Sequence, residues 1–190
     1  MAIEVVDTVA GVPAEKWNSL APGDPFLSHE FLSALHETGC AASASGWMPQ
    51  YLLLRQNGAL TGAMPLYLKS HSYGEYVFDW AWADAYHRHG IAYYPKLLSA
   101  VPFTPVTGTR LLATTDEARD ILIASALELA RKLRVSSLHC LFPTRDEAQR
   151  MVAHGMMPRT TVQFHWANRD YASFDAFLAG FSHDKRKKVR

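Results

Sequence analysis

A chain of 190 residues is long enough for one domain with a substantial core and short for two. Hydrophobic residues make up 48% and charged residues 19%, which excludes a disordered chain, and a formal net charge of +1 provides no overall field to attract nucleic acid or an anionic membrane. No apolar run approaches the roughly 20 residues that span a bilayer, the N-terminus does not match a secretory signal, and the spacing of Cys40 and Cys140 supports no disulfide framework, so we expect a reducing, cytoplasmic location.

The front of the sequence predicts a strand, two helices and a hairpin. Ser28 can cap the second helix and Gly39 can end it. Asn57-Gly58 joins the two hairpin strands and supplies the two positive φ angles of a tight turn, which makes it the clearest local signal in the chain. In chain order, the predicted elements are a strand at 3–8, a helix at 13–20, a helix at 28–39, and strands at 49–56 and 59–70.

Residues 69–86 read KSHSYGEYVFDWAWADAY and combine aromatic rings with acids. Residues 75–83 predict a further strand after the hairpin, because aromatic side chains favour β structure. Side chains alternate along a strand, so Glu75 and Asp79 would share one face with small residues, which leaves room for a ligand. The opposite face would pack in the core and carry Tyr76, Phe78, Trp80 and Trp82.

Glu75 and Asp79 are the candidates for a catalytic base. Four residues along a strand separate them by about 13 Å, too far for the two carboxylates to share one proton. Asp79 is the first choice, because desolvation in the middle of a strand raises the pKa of a carboxyl group. The alternative is a structural ion pair between Asp79 and Lys69, Arg88 or Arg110.

Side chains on either side of this predicted strand are candidates for binding a substrate. The loop at 69–73 can recognise a carboxylate or a phosphate, although a solvated turn fits the same residues. His165 falls late in another predicted strand, where it can contact a ligand or belong to the core. His87 and His89 lack the HExxH pattern or the cysteine partners of a metal site, so we predict no metal. The candidates for substrate binding are Lys69, Ser70, His71, Tyr73, Asp84 and His165.

The back of the sequence predicts alternating strands and helices. Thr114 and Glu117 have the spacing of a capping box at the start of the longest helix. Ser182 and Asp184 predict the start of a basic helix, and we expect the chain to be the front portion of a longer protein. Grouped by type, the predicted elements are a broken helix or loop at 85–101, strands at 109–113, 136–142 and 159–168, and helices at 116–133, 146–155 and 171–181.

This order of elements predicts an α/β (α+β) fold with a mixed, mostly antiparallel sheet flanked by helices. Residues 65–86, 101–112 and 162–190 resemble the FemAB-like peptidoglycan biosynthesis and recognition family, bacterial proteins that are grouped with GNAT acyltransferases. The resemblance implies a GNAT-like domain that forms the first half of a protein with paired halves. The domain would span residues 1–181, and residues 182–190 would begin a truncated, basic connecting helix.

The resemblance also implies transfer of an acyl or aminoacyl group to an amine, for example that of a peptidoglycan precursor, with acyl-CoA or aminoacyl-tRNA as the donor. Asp79 or Glu75 would accept the proton of the amine, and backbone N–H groups at a strand edge would stabilise the oxyanion. Residues 185–190 could contact a tRNA donor, although a solvated helix face fits them as well.

A GNAT domain usually holds the pyrophosphate of CoA in a glycine-rich turn at the N-terminus of a helix. The corresponding turn here, RLLATTDEAR at 110–119, has no glycine and carries two acids, so we do not expect this half to bind CoA in the usual way. The alternatives are a recognition module that binds a cell-wall peptide without catalysis and a scaffold that forms a homodimer through exposed aromatic side chains.

Overall fold

The computed structural model describes residues 1–189, and within that range the chain forms eight strands and seven α-helices. Among the helices described, none has both the length and the apolar character needed to cross a membrane. The bounds are β1 Ala2–Val6, α1 Ala14–Asn18, α2 His29–Glu37, β2 Trp47–Pro49, β3 Tyr51–Gln56, β4 Ala59–Met64, β5 Tyr67–Lys69, α3 Trp80–Arg88, β6 Lys96–Ser99, β7 Leu112–Ala113, α4 Asp116–Leu133, β8 Leu138–Cys140, α5 Arg145–Ala153, α6 Phe174–Ala179 and α7 His183–Val189.

The strands form two four-stranded sheets that share one long hairpin. Their orders are β1-β3-β4-β7 and β2-β5-β6-β8, and among these pairs β6–β8 is parallel and the others are antiparallel. The amide of Gln50, between β2 and β3, donates to the carbonyl of Leu66, between β4 and β5, at 2.8 Å, so the hairpin continues from one sheet into the other. The predicted mixed, mostly antiparallel fold with flanking helices is confirmed.

Both faces of β3 are buried, which explains its continuous apolar sequence YLLL. Tyr51 and Leu53 pack on the face that α1 and α2 cover, whereas Leu52 and Leu54 pack on the face that α4 covers. Each fully buried leucine contributes about 2–3 kcal/mol relative to an exposed one. The central hairpin therefore carries a large share of the core, and the loops at its end are built on a rigid base.

Several local predictions are confirmed. Asn57 and Gly58 have φ angles of 49° and 82° and form the predicted hairpin turn. The Ser28 side chain accepts a hydrogen bond from the Phe31 amide at the start of α2. The bounds of α4 agree with the predicted helix, but the predicted capping box is wrong, because the residue that caps α4 is Thr115, one position beyond Thr114.

The strand predicted at 75–83 is wrong. Residues 75–79 are irregular and α3 begins at Trp80. Gly74 and Tyr76 have φ angles of 80° and 57°, and these left-handed conformations break an extended chain. The position beside β5 is taken by β6, which lies inside the segment predicted as a broken helix or loop. The four rings assigned to the core, those of Tyr76, Phe78, Trp80 and Trp82, are exposed.

The chain divides into two compact units, Met1–Pro158 and a second unit that begins at Arg159. The second unit contains α6 and the predicted basic helix, α7; Arg190 lies outside the described residues. The strand predicted at 159–168 is wrong, since these residues form no strand in the part of the chain described. The predicted division at residue 181 stays a prediction.

Glu147 connects α5 to the segment that leads into β7. Its buried carboxylate accepts hydrogen bonds from the backbone amides of Arg110 and Leu111 at 2.9–3.0 Å and from the hydroxyl of Thr109. A carboxylate that accepts several bonds in a buried position replaces the solvent that these donors lose on folding.

We expect Glu147→Ala to lower the free energy of unfolding by roughly 2–4 kcal/mol, because two buried amides lose their acceptor. Urea unfolding followed by circular dichroism measures the change. Asp146→Ala, at the exposed neighbouring position, is the control and should cost less than about 1 kcal/mol. If Glu147→Ala and Asp146→Ala lose the same stability, the hydrogen bonds that Glu147 accepts are not the source of the loss.

Candidate functional site

A buried ionic cluster lies beside β6. The Nζ atom of Lys96 donates to Glu75 Oε2 at 2.9 Å, to Asp79 Oδ2 at 2.6 Å and to Ser72 Oγ at 2.8 Å. All four side chains are buried. One lysine is therefore paired with two carboxylates that come from the irregular segment before α3, and it fastens that segment to the sheet.

The two carboxyl groups of this cluster differ in acidity. Burial favours the neutral form of Asp79, but hydrogen bonds from Lys96, Tyr93 and Ser72 outweigh it and leave the pKa of Asp79 lowered. Burial raises the pKa of Glu75 in spite of its ion pair with Lys96. Asp79 is thus a stabilised carboxylate and a weak base, whereas Glu75 is the one that takes up a proton more readily.

Lys69 lies next to Lys96 because of the strand register. Trp47 of β2 is paired with Lys69 of β5, which is paired with Lys96 of β6, so the three side chains form a row across the sheet. The Nζ atom of Lys69 lies 3.6 Å from the centroid of the Trp47 ring and donates to the carbonyl of Tyr73 at 3.3 Å. Burial lowers the pKa of Lys69 to about 7, against the attraction of Glu75.

Above the ionic cluster, the chain exposes five rings between residues 73 and 82, and we call them the aromatic surface: Tyr73, Tyr76, Phe78, Trp80 and Trp82. Tyr73 is 64% exposed and its ring contacts those of Trp80 and His71, with centroids 5.7 and 5.1 Å apart. Large exposed rings grouped on one segment of a folded protein mark an interaction site.

Buried ion pairs fix the position of the segment that carries the aromatic surface. Glu75 and Asp79 alternate with its rings and point to Lys96, so the segment cannot turn over without breaking the ion pairs. Gly74 is required at the start of the segment, because a Cβ atom there would lie 2.5 Å from the ring of Phe103. The surface is therefore fixed in place, which reduces the entropy lost when a ligand binds.

The residues predicted to bind a substrate differ in their surroundings. His71 and Tyr73 lie at the aromatic surface, whereas the Lys69 side chain is buried beneath it. Ser70 is exposed, and Asp84 is exposed on α3, where it pairs with Arg88 at 3.2 Å. His165 belongs to the second unit and is exposed there.

The prediction of room for a ligand beside Glu75 and Asp79 is wrong, since both carboxylates are buried and paired with Lys96. The ion-pair alternative named Lys69, Arg88 or Arg110 and missed Lys96. Sequence reasoning also missed Tyr93, and it placed Ser72 in the candidate loop at 69–73 without predicting its hydrogen bond to Asp79. One signal was available: KLLSAV, residues 96–101, is an apolar strand pattern that places a lysine where it must be buried. The catalytic roles of Asp79 and Glu75 stay predictions.

A cleft of about 740 Å³ lies beside the start of α4 and is lined by α5. The carboxylate of Asp116 pairs with Arg119 and Arg150, each at 2.7 Å, and Asp120 pairs with Arg150 at 2.8 Å. The negative charge expected at this turn is therefore offset by two arginines. That this turn does not hold CoA in the usual way stays a prediction.

Comparison with known proteins places the chain within a family. A family model described as FemAB-like, peptidoglycan biosynthesis/recognition, matches residues 8–190. No curated protein matches the chain. An aminoglycoside antibiotic 6'-N-acetyltransferase from Acinetobacter haemolyticus is a similar solved structure, with 14% identity, a TM-score of 0.48, and coverage of 90% of this chain and 100% of the acetyltransferase chain.

Proposed function

The chain belongs to the FemAB-like family of peptidoglycan biosynthesis and recognition proteins, and we propose that it serves the transfer of an acyl or aminoacyl group to the amine of a peptidoglycan precursor. The aromatic surface binds this acceptor. The observation that carries the proposal is the set of exposed rings at residues 73–82, which the buried ionic cluster holds in one position.

The chemistry of a glycopeptide suits this surface. The C–H faces of sugar rings and the aliphatic parts of peptide side chains pack against aromatic faces, and the phenol and indole groups of Tyr73, Tyr76 and Trp80 add hydrogen-bond donors. The adjacent charged pair, Asp84 with Arg88, offers both signs of charge to the termini and side chains of a peptide stem.

In the transfer step, the acceptor nitrogen forms a bond to the acyl carbon, the bond from that carbon to the donor's oxygen or sulfur breaks, and a base takes the proton of the amine. Glu75 fits the role of base better than Asp79, because its raised pKa is closer to neutral pH. Glu75 is buried and paired with Lys96, so it acts as the base only when its own ion pair opens, while Asp79 stays paired with Lys96 and keeps the rings in place.

A recognition module without catalysis is the second candidate. The burial of both acids and their pairing with Lys96 favour it, since a binding surface needs a rigid support and no free base. Under this alternative the ionic cluster serves only to position the rings.

Calorimetric titration of the chain with a disaccharide pentapeptide muropeptide tests the surface. We expect Tyr73→Ala and Trp80→Ala each to weaken binding by about tenfold or more, with stability changed by less than about 1 kcal/mol, because both rings are exposed. Phe164→Ala, which removes a ring that is 98% exposed in the second unit, is the control. No binding, or equal losses in all three variants, would refute the proposed surface.

Mass spectrometry of the muropeptide after incubation with acetyl-CoA or aminoacyl-tRNA separates the two candidates. Modification that Glu75→Gln abolishes supports transfer, whereas tight binding without modification supports recognition alone.

A further inference from the structure

The positive charge of the chain is concentrated in its second unit. Residues 159–190 contain seven basic and three acidic residues and have a net charge of +4, whereas residues 1–158 have a net charge of −3. Four of the seven basic residues fall in α7, whose sequence is HDKRKKV. Such an asymmetry, in a chain that is nearly neutral overall, indicates a local contact with an anionic partner.

The lysines of α7 are available to such a partner. Lys185, Lys187 and Lys188 are exposed, and among residues 1–189 none of them forms an ion pair with an acid. Arg186 differs from them, because its Nη2 atom donates to the carbonyl of Phe181 at 3.1 Å. The arginine therefore attaches α7 to the rest of the second unit, and the three ammonium groups remain free to contact phosphate groups.

The same unit exposes large apolar side chains. Their exposed fractions are 77% for Val162, 98% for Phe164, 66% for Trp166 and 60% for Phe174. The ring of Phe177 contacts those of Trp166 and Phe181, with centroids 5.9 and 4.8 Å apart. Because Arg186 bonds to Phe181, these contacts join the exposed rings and the basic helix in one packed unit.

An extended partner can contact both features, whereas a small ligand cannot. Four rings of the second unit line a groove of about 520 Å³ together with Asn168 and Ser173, and no charged side chain lines it. The lysines of α7 lie outside this groove, so a small ligand held there would leave them unused. At a bilayer surface, aromatic rings enter the interface while lysine side chains lie near the lipid phosphates.

The aliphatic side chains favour a bilayer over RNA, which is another extended polyanion. Single-stranded RNA is held by rings on which bases stack and by cations along its backbone, and it gains little from valine. Val162 and Val189 are nevertheless exposed beside the rings and the basic residues in sequence. At a bilayer interface both kinds of apolar side chain contribute, in proportion to the area that leaves water.

We infer that the second unit binds an anionic phospholipid surface. Phe164 and Trp166 enter the interfacial region of the bilayer, and Lys185, Lys187 and Lys188 contact the lipid phosphates. The contact is peripheral and is made by side chains alone. The inference goes beyond the proposed function and does not depend on it, since none of these residues belongs to the aromatic surface at residues 73–82.

Co-sedimentation of the chain with vesicles tests the inference. We expect binding at low salt to vesicles of phosphatidylcholine that contain about one-third phosphatidylglycerol, and binding at least about tenfold weaker to phosphatidylcholine alone. Raising the salt concentration from about 0.05 M to about 0.5 M should release most of the chain, because salt screens the attraction between the lysines and the phosphates. No binding to the anionic vesicles at low salt would overturn the inference.

A pair of double variants tests the role of α7. Lys187→Gln with Lys188→Gln should weaken binding to the anionic vesicles by roughly 25-fold, since each basic side chain near such a surface contributes about fivefold. Arg131→Gln with Lys132→Gln removes the same charge from exposed positions at the end of α4, in the first unit, and is the matched control. Equal losses in the two double variants would overturn the inference, because net charge and not α7 would then be responsible.

Variants of the rings test insertion into the interface. Phe164→Ala and Trp166→Ala should each weaken binding by about tenfold, because each ring loses the apolar area that it buries in the bilayer. Ile91→Ala, which shortens an exposed apolar side chain of the first unit, is the control and should bind as the parent does. Tryptophan emission should shift to shorter wavelength on binding, and Trp166→Phe should lose most of this shift while retaining most of the affinity. Unchanged binding in both ring variants would overturn the inference.

Competition with a labelled single-stranded RNA separates the two polyanions. Tighter binding of the RNA than of the anionic vesicles, at matched phosphate concentration, would overturn the inference and assign α7 to nucleic acid. Displacement of the RNA by the vesicles would support it. Muropeptide binding is measured without vesicles, so failure of either proposal leaves the other standing.

Discussion

Lys96→Met is expected to lower the free energy of unfolding by roughly 3–5 kcal/mol. The substitution removes the cation that pairs with Glu75 and Asp79. It leaves Asp79 in a buried site with the hydroxyl groups of Ser72 and Tyr93, and it leaves Glu75 with the attraction of Lys69 alone. An uncompensated buried charge costs more than the ion pair contributes, because neither carboxylate regains its water. Urea unfolding at pH 7 measures the loss.

Two further variants make the Lys96 prediction specific. Arg88→Met removes the cation of an exposed pair with Asp84 and should change stability by less than about 1 kcal/mol. The triple variant that adds Glu75→Gln and Asp79→Asn to Lys96→Met removes the stranded charges and should recover most of the loss. If the single and triple variants unfold at the same urea concentration, charge burial is not the cause.

Lys69→Met is expected to stabilise the protein at pH 7 and to lose this advantage as the pH rises. Burial lowers the pKa of Lys69 from 10.5 to about 7, so between these values the unfolded chain binds a proton that the folded chain does not. The free energy of unfolding of the parent protein therefore increases as the pH rises from about 7 towards 10.5. This gain in stability is lost as the pH falls back to about 7. Methionine has no proton to exchange, and the difference between the two proteins should narrow by up to about 1.4 kcal/mol per pH unit.

Urea unfolding of both proteins between pH 7 and 9 measures this effect. The measurements stop at pH 9 because burial raises the pKa of the Cys140 thiol from 9.0 to about 12. Above pH 9 the unfolded chain loses this proton before the folded chain does, which lowers the stability of the protein. Lys16→Met, at an exposed position of α1, is the matched control and should change stability by less than about 1 kcal/mol at each pH. Parallel profiles for the parent and Lys69→Met would show that Lys69 does not carry the pH dependence.

Local sequence patterns predicted the elements whose stability is local. The Asn57-Gly58 turn needs two positive φ angles, and α4 has a stripe of apolar residues over 18 positions, so each is specified by its own residues. The error of one residue at the cap of α4 arose because Thr114 and Thr115 are both good caps, and the choice between them depends on how the chain leaves β7.

The site was predicted less well because its geometry depends on residues that are distant in the chain. The rings at residues 73–82 have high β propensity, but that preference holds only where rings pack against neighbouring strands, and these rings are exposed. The residue that determines the position of Glu75 and Asp79 is Lys96, and its place follows from pairing between β5 and β6. Sequence alone therefore identified the acids and could not identify their partner.

The row formed by Trp47, Lys69 and Lys96 also bears on how the second sheet assembles. A shift of one residue in the pairing of β5 with β6 would bring Leu97 to the side of Glu75 and Asp79 and send Lys96 towards α4. Misaligned chains would then bury two acids against leucine and a lysine against the helix. The two lysines of this row therefore destabilise incorrect registers of β5 and β6, which hydrophobic side chains alone would tolerate.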